Sequence, residues 1–132
     1  MILKIQNGIK MNESGFSKWL CGHLKDTGLF AQRLEVTTGA GVPDIAVLSV
    51  RGTLWCELKW NTKHIRPEQY VWGYKAANAG VTVNYIVGYP DKVELYTIKD
   101  AVKMTKSFKL TDLLLTVPRT KAEVSQLLTN LK

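Results

Sequence analysis

Gly41-Val42-Pro43-Asp44-Ile45-Ala46-Val47-Leu48-Ser49-Val50-Arg51-Gly52-Thr53-Leu54-Trp55-Cys56-Glu57-Leu58-Lys59-Trp60 is the stretch that decides how this chain is read. Ile45 to Val50 is apolar and rich in β-branched residues. Arg51-Gly52 reads as a tight turn, and Thr53 to Trp60 as a second strand. The pattern predicts a hairpin of residues 45–50 and 53–60. Side chains alternate across a strand, so Glu57 and Lys59 share one face with Trp55. Leu54, Cys56, Leu58 and Trp60 share the other, which is wholly apolar and suited to packing under a helix. The charged face has either to see water or to hold something.

Pro43 takes the backbone before Ile45 out of regular pairing. A turn at Arg51-Gly52 then carries Asp44 towards the Glu57–Lys59 end of the partner strand. Two carboxylates held close repel each other and raise a pKa unless a cation lies between them. Oxygen ligands of this kind suit Mg²⁺ or Mn²⁺, and a bound metal lowers the pKa of its water. A lysine beside them can position that water or stabilise a developing anion. The set suits phosphodiester hydrolysis. The same residues also have a plainer reading, in which Asp44 caps a turn and Glu57 and Lys59 form a solvated ion pair.

Around this hairpin the chain reads as a mixed α/β domain. Residues 1–10 form a short, extended lead-in. Asn12 looks like an N-cap, and Phe16, Trp19, Leu20, His23 and Leu24 fall at helical spacing, predicting a helix over 13–27 ended by Gly28. Leu29 to Val36 reads as a strand and Thr37-Thr38-Gly39-Ala40-Gly41 as a loop. A polar, basic loop spans 61–66. Pro67 opens a helix to Ala79, with Tyr70, Tyr74 and Ala77 on its apolar face. Strands follow over 81–87 and 93–98, and Asp91 and Glu94 read as surface residues around a turn. Residues 99–132 read as a basic extension to a core of 12–98, with a last helix over about 121–131 opened by Thr120-Lys121-Ala122-Glu123. The expected order is α-β-β-β-α-β-β with an extra C-terminal helix.

The chain has 132 residues, 45% hydrophobic and 22% charged, and a net charge of +7. That length and balance fit one soluble domain with a real core. The positive surplus favours a polyanionic partner, nucleic acid being the usual one. Cys21 and Cys56 stand far apart in apolar-patterned segments and read as buried thiols in a reducing compartment. No apolar run reaches membrane-span length, and Met1 to Gln6 lacks the long apolar stretch of a signal peptide. A cytoplasmic location, in a bacterium or in the host of a phage, is expected, with no membrane partner.

Gly41-Val42-Pro43-Asp44-Ile45, then Glu57-Leu58-Lys59, then Arg66-Pro67-Glu68-Gln69 resembles the PD-(D/E)XK nuclease superfamily, and within it the VRR-Nuc branch. Asn12-Glu13-Ser14 resembles that family's Glu-Ser helix start. The resemblance covers roughly residues 12–98. It implies a restriction-endonuclease-like core, a mixed central β-sheet flanked by helices. It implies a Mg²⁺- or Mn²⁺-dependent DNA endonuclease, structure-specific for branched or four-way DNA and working as a homodimer. A junction resolvase of archaeal type shares much of the same core.

Carried over by position, the resemblance makes Asp44 and Glu57 the principal metal ligands and Lys59 the catalytic lysine. Glu13 approaches the metal from the first helix, and Gln69 helps to place the water or the phosphate. The family's basic residues just before the Gly-x-Pro-Asp turn have no counterpart in Thr37-Thr38-Gly39-Ala40-Gly41. Lys63, His64 and Arg66 are candidate phosphate contacts, or else a solvated charged loop. Trp55 is a candidate for stacking on a base, and His23 is structural. Leu110 to Val117 is a candidate dimer interface. The competing function class is a non-catalytic nucleic-acid-binding module on the same fold.

Overall fold

A computed structural model describes residues 11–34 and 40–132. The lead-in over 1–10, the last two residues of the 29–36 strand and Thr37-Thr38-Gly39 lie outside the described residues. Helix α1 (Glu13–Asp26) starts where the Asn12 side chain accepts a hydrogen bond from Gly15 N at 2.8 Å. Strands β1 (Phe30–Arg33), β2 (Ile45–Ser49) and β3 (Gly52–Trp60) follow. Ser49 closes the β2–β3 turn, donating from its hydroxyl to Gly52 O and accepting from Arg51 N. A two-residue strand β4 (His64–Ile65) lies within the loop expected over 61–66 and leads into α2 (Pro67–Asn78). Then come β5 (Val83–Gly88), β6 (Lys92–Thr97), β7 (Val102–Lys103), β8 (Phe108–Lys109), β9 (Asp112–Pro118) and α3 (Lys121–Leu128).

Six of these strands form one sheet in the order β9-β6-β5-β3-β2-β1. β3 and β5 are parallel, with Glu57 beside Tyr85, and the other pairs are antiparallel. The parallel pair is joined through α2, a βαβ crossover. The fold is thus a mixed central sheet flanked by helices, as expected. On one face, Phe16, Leu20 and Leu24 of α1 and Leu127 of α3 pack on Cys56 and Leu58. The opposite face carries Tyr85, Val87 and Tyr96, with Tyr70 and Trp72 of α2 against them.

The helix over 67–79 buries a different stripe from the one its apolar residues suggest. Gln69 and Gly73 are the buried positions, whereas Tyr74 is 52% exposed and Ala77 is also exposed. The reason lies in the sheet below: a Cβ at Gly73 would stand 2.0 Å from the Tyr85 hydroxyl oxygen. The helix settles where it has no side chain, and Tyr74 turns outwards. Glu94, expected at the surface, is only 6% exposed. It accepts from the Tyr96 hydroxyl at 2.7 Å and pairs with Lys92 at 3.5 Å. These two partners replace the water that a buried carboxylate loses.

Residues 99–132, read as an extension, complete the core. β9 pairs with β6 along the sheet edge, with a register shift between Leu113 and Leu115. β7 and β8 join β4 in a separate three-stranded sheet. Leu110, Val117, Val124, Leu127 and Leu131 are all buried. Leu110 and Val117, the two ends of the candidate interface, therefore face the interior, while Leu113 and Leu114 between them are exposed. Leu110→Ala should cost about 2–4 kcal/mol of folding stability. Urea unfolding measures this as a lower midpoint at unchanged slope, and a midpoint like that of the unaltered chain would return the segment to the periphery.

Candidate active site

The hairpin register sets Ile45 opposite Cys56, so one residue further along places Asp44 opposite Glu57. The Asp44 backbone carbonyl accepts from Leu34 N at 2.7 Å, which fixes the start of β2 against the end of β1. Its carboxylate Oδ2 accepts from Leu58 N at 2.9 Å. Glu57 stands beside this contact on the α2 face of the sheet and is 2% exposed. Its Oε2 accepts from Gln69 Nε2 at 3.0 Å, and Gln69 Oε1 accepts from Arg66 N at 2.8 Å. One glutamine thus satisfies an orphan donor at the start of α2 and holds the buried acid.

Burial is the main force on Glu57, followed by the Asp44 carboxylate and the hydrogen bond shared with it. Together they push the Glu57 pKa up to about 9, with Lys59 opposing and Glu13 adding a smaller rise. In the metal-free protein Glu57 therefore keeps its proton at neutral pH. Tyr85, its neighbour on β5, is also pushed above the usual phenol range, by burial first and by the Glu57 charge second. Lys59 is half-buried and takes part in no ion pair among the described residues.

Glu13 approaches from the first turn of α1. It lines a cavity of about 140 Å³ together with Ser14, Ser17, Arg33, Asp44 and Leu58. Glu57 is in contact with both Asp44 and Gln69, and Glu13 faces the Asp44 side of the group. Among the described residues, no three His, Cys, Asp or Glu side chains come together closely enough to share one metal ion. Asp44 and Glu57 are adjacent, and Glu13 borders the cavity on the Asp44 side without closing a set of three.

Arg33 escaped the reading of the sequence. It donates to the Ser17 hydroxyl and points into the same cavity. The loop before Asp44 carries no basic residue, but the β1–β2 register sets Arg33 opposite Ile45. A cation thus reaches the site from a strand eleven residues upstream. The signal was present in the partly alternating stretch 29–36, but it needed the strand pairing to become legible.

The candidate phosphate contacts lie next to α2. Lys63 is half-buried and its carbonyl accepts from Leu110 N at 2.9 Å. His64 is exposed, with Nδ1 3.0 Å from Ser107 Oγ. Arg66 is exposed and its guanidinium lies 3.5 Å from Glu68. Trp55 is half-buried against Trp72, with ring centroids 5.8 Å apart. His23 is buried edge-on against Trp19 at 4.3 Å, away from these groups.

A mixed sheet with a βαβ crossover of this kind has a known likeness among solved structures. The fold resembles that of a Holliday junction resolvase. The solved structure is Hjc from the hyperthermophilic archaeon Archaeoglobus fulgidus. It superposes with a TM-score of 0.59 at 15% sequence identity, covering 86% of this chain and 98% of that one. At this identity the likeness is one of fold. No protein-family model matches the chain, and no curated protein matches it in sequence. No helix among the described residues is long and apolar enough to cross a membrane.

Proposed function

We propose that this chain is a divalent-metal-dependent DNA endonuclease of the PD-(D/E)XK type, akin to its VRR-Nuc branch and specific for branched or four-way DNA. The observation that carries this reading is Glu57. A carboxylate 2% exposed beside a second carboxylate must be neutralised, by a proton or by a cation. The donor set fits a hard cation. Asp44 Oδ2 and Glu57 Oε2 are anchored by N–H donors, which fixes two carboxylates side by side. Asp44 and Glu57 would hold Mg²⁺ or Mn²⁺, with Glu13 approaching from α1 directly or through water. When bound, such an ion lowers the pKa of a coordinated water and neutralises charge on the phosphate.

The rest of the chemistry falls to the chain itself. Gln69 fixes the Glu57 carboxylate, and its own orientation is fixed by the Arg66 backbone. Lys59, on the same strand face as Glu57, positions the attacking water and takes up charge developing on the phosphate. Arg33, at the mouth of the cavity, provides the positive group that the loop before Asp44 lacks. Lys63, His64 and Arg66 grip phosphates flanking the scissile bond. A symmetric pair of chains belongs to this reading, because a four-way junction presents two equivalent strands. The A. fulgidus protein, a Holliday junction resolvase by its description, supports the choice of branched DNA.

Purified protein should cleave a four-way junction in Mg²⁺ or Mn²⁺ and stop when EDTA is added. Lys59→Ala should lower the single-turnover rate by about 10²- to 10³-fold and leave junction binding intact. Cleavage that persists in EDTA, or at full rate in Lys59→Ala, would sink the assignment. Binding with no cleavage in any metal would favour a binding module that keeps the fold.

A further inference from the structure

Residues 99–109 carry Lys99, Lys103, Lys106 and Lys109 against a single acid, Asp100. None of these lysines joins an ion pair among the described residues. Lys103 lies on β7, Lys109 on β8 and Lys106 in the turn between, which Met104 N closes by donating to Ser107 O at 2.8 Å. Lys103 and Lys106 are exposed and Lys109 is half-buried.

A basic hairpin can be no more than a solvated loop, but this one is fixed to the candidate site at three points. β8 pairs with β4, setting Lys109 beside His64 and Phe108 beside Ile65. Phe108 lies flat on Tyr70 of α2, with centroids 3.8 Å apart and planes 4° apart. Leu110 is fully buried and its N–H is held by the Lys63 carbonyl.

Cross-strand partners share a face. Lys109, His64 and Val102 therefore form one row, on the side away from buried Ile65. Arg66 follows two residues after His64, and its backbone N–H starts the chain of hydrogen bonds through Gln69 to Glu57. Two strand spacings, about 10 Å, separate β7 from β4. Lys103, paired with Phe108, stands on the opposite face, so Lys109 and the turn residue Lys106 carry the positive surface on from His64 and Arg66.

We infer that the β7–β8 hairpin clamps the phosphate backbone of a DNA arm beside the cleaved strand, with Lys106 and Lys109 each neutralising about one phosphate. The choice of DNA as the polyanion rests on the nuclease reading above. The charge, exposure and fixed mounting of the hairpin do not.

The test is a salt titration of binding to a fluorescent four-way junction and a linear duplex, in EDTA, with cleavage by the unaltered chain assayed alongside in Mg²⁺. In Lys106→Gln/Lys109→Gln, the slope of log affinity against log salt should flatten by about 2 on both DNAs. Affinity at low salt should fall about tenfold or more. The corresponding double change to Arg should restore both, since it returns the charge. An unaltered chain that cuts the junction while the Gln variant keeps its slope and affinity overturns the clamp and leaves the nuclease standing. Hairpin-dependent binding without cleavage supports the clamp and removes the nuclease. An unaltered chain that binds neither DNA overturns both.

Discussion

Glu57→Gln should cut cleavage severely and, in the absence of metal, make the protein more stable near pH 8. Both effects arise from one buried carboxylate. Burial and the adjacent Asp44 push its pKa in the fold up to about 9, against an ordinary value of 4.5. Below the ordinary value both folded and unfolded chains carry the proton, and the protonated acid's contribution to stability is complete. Between the two values the unfolded chain releases the proton while the fold retains it. The folded state then binds more protons, so stability falls as pH rises through this window. Glutamine is neutral throughout and can still accept from Gln69 Nε2, so the variant should not show this fall.

Near pH 8 and in EDTA, Glu57→Gln should therefore melt roughly 5–10 °C above the unaltered chain, and the two should converge near pH 4. Mg²⁺ or Mn²⁺ should reverse the order. A bound ion takes the place of the proton on Glu57, stabilises the unaltered chain by mass action, and finds no such ligand in the variant. Single-turnover cleavage should fall by about a thousandfold, in the range seen when one main electrostatic contributor is removed from a site. Equal melting temperatures at both pH values would mean that Glu57 is not held protonated. An active variant would mean that it carries no part of the chemistry.

The hairpin that carries Glu57 was readable because its information is local. β-branched residues, a Gly turn and strict alternation all lie within residues 45–60. Helix α1 was readable for the same reason, through Asn12 and the spacing of Phe16, Leu20 and Leu24. Pro67 and Gln69 marked the start of α2, but not the face it buries. That face is defined by Gly73, and its meaning depends on the Tyr85 hydroxyl beneath it. Burial of Glu94 depends likewise on Tyr96 and Lys92, on the same strand but fixed only by the fold. β7 and β8 are two residues long each, too short for periodicity to register, and they exist because β4 and Tyr70 lie beside them. Arg33 is the sharpest case. Its place in the candidate site follows from the pairing of β1 with β2, which no spacing along the chain encodes.

Gly41→Ala should damage stability and cleavage together, although Gly41 bears no functional group. Its φ is +77°, a conformation that costs an alanine about 1 kcal/mol. The larger effect is collision. A Cβ at this position would stand 2.1 Å from Glu68 O and 2.7 Å from Gln69 N. The Gly41-Val42-Pro43-Asp44 turn lies directly on the first turn of α2, and both are main chain, so neither can swing aside like a side-chain tip. Alanine has to push Asp44 away from Gln69, and so from Glu57. The expected loss is about 2–4 kcal/mol of stability. Cleavage should fall about a hundredfold, because a displacement of about 1 Å is enough to undo alignment at a reacting centre. Gly28→Ala supplies the control. Gly28 also has positive φ, at +81°, but nothing lies within 4 Å of its Cβ position. It should lose only the conformational cost and keep full cleavage. If Gly41→Ala and Gly28→Ala behave alike in urea unfolding and in cleavage, the contact between the Asp44 turn and α2 does not align the acids.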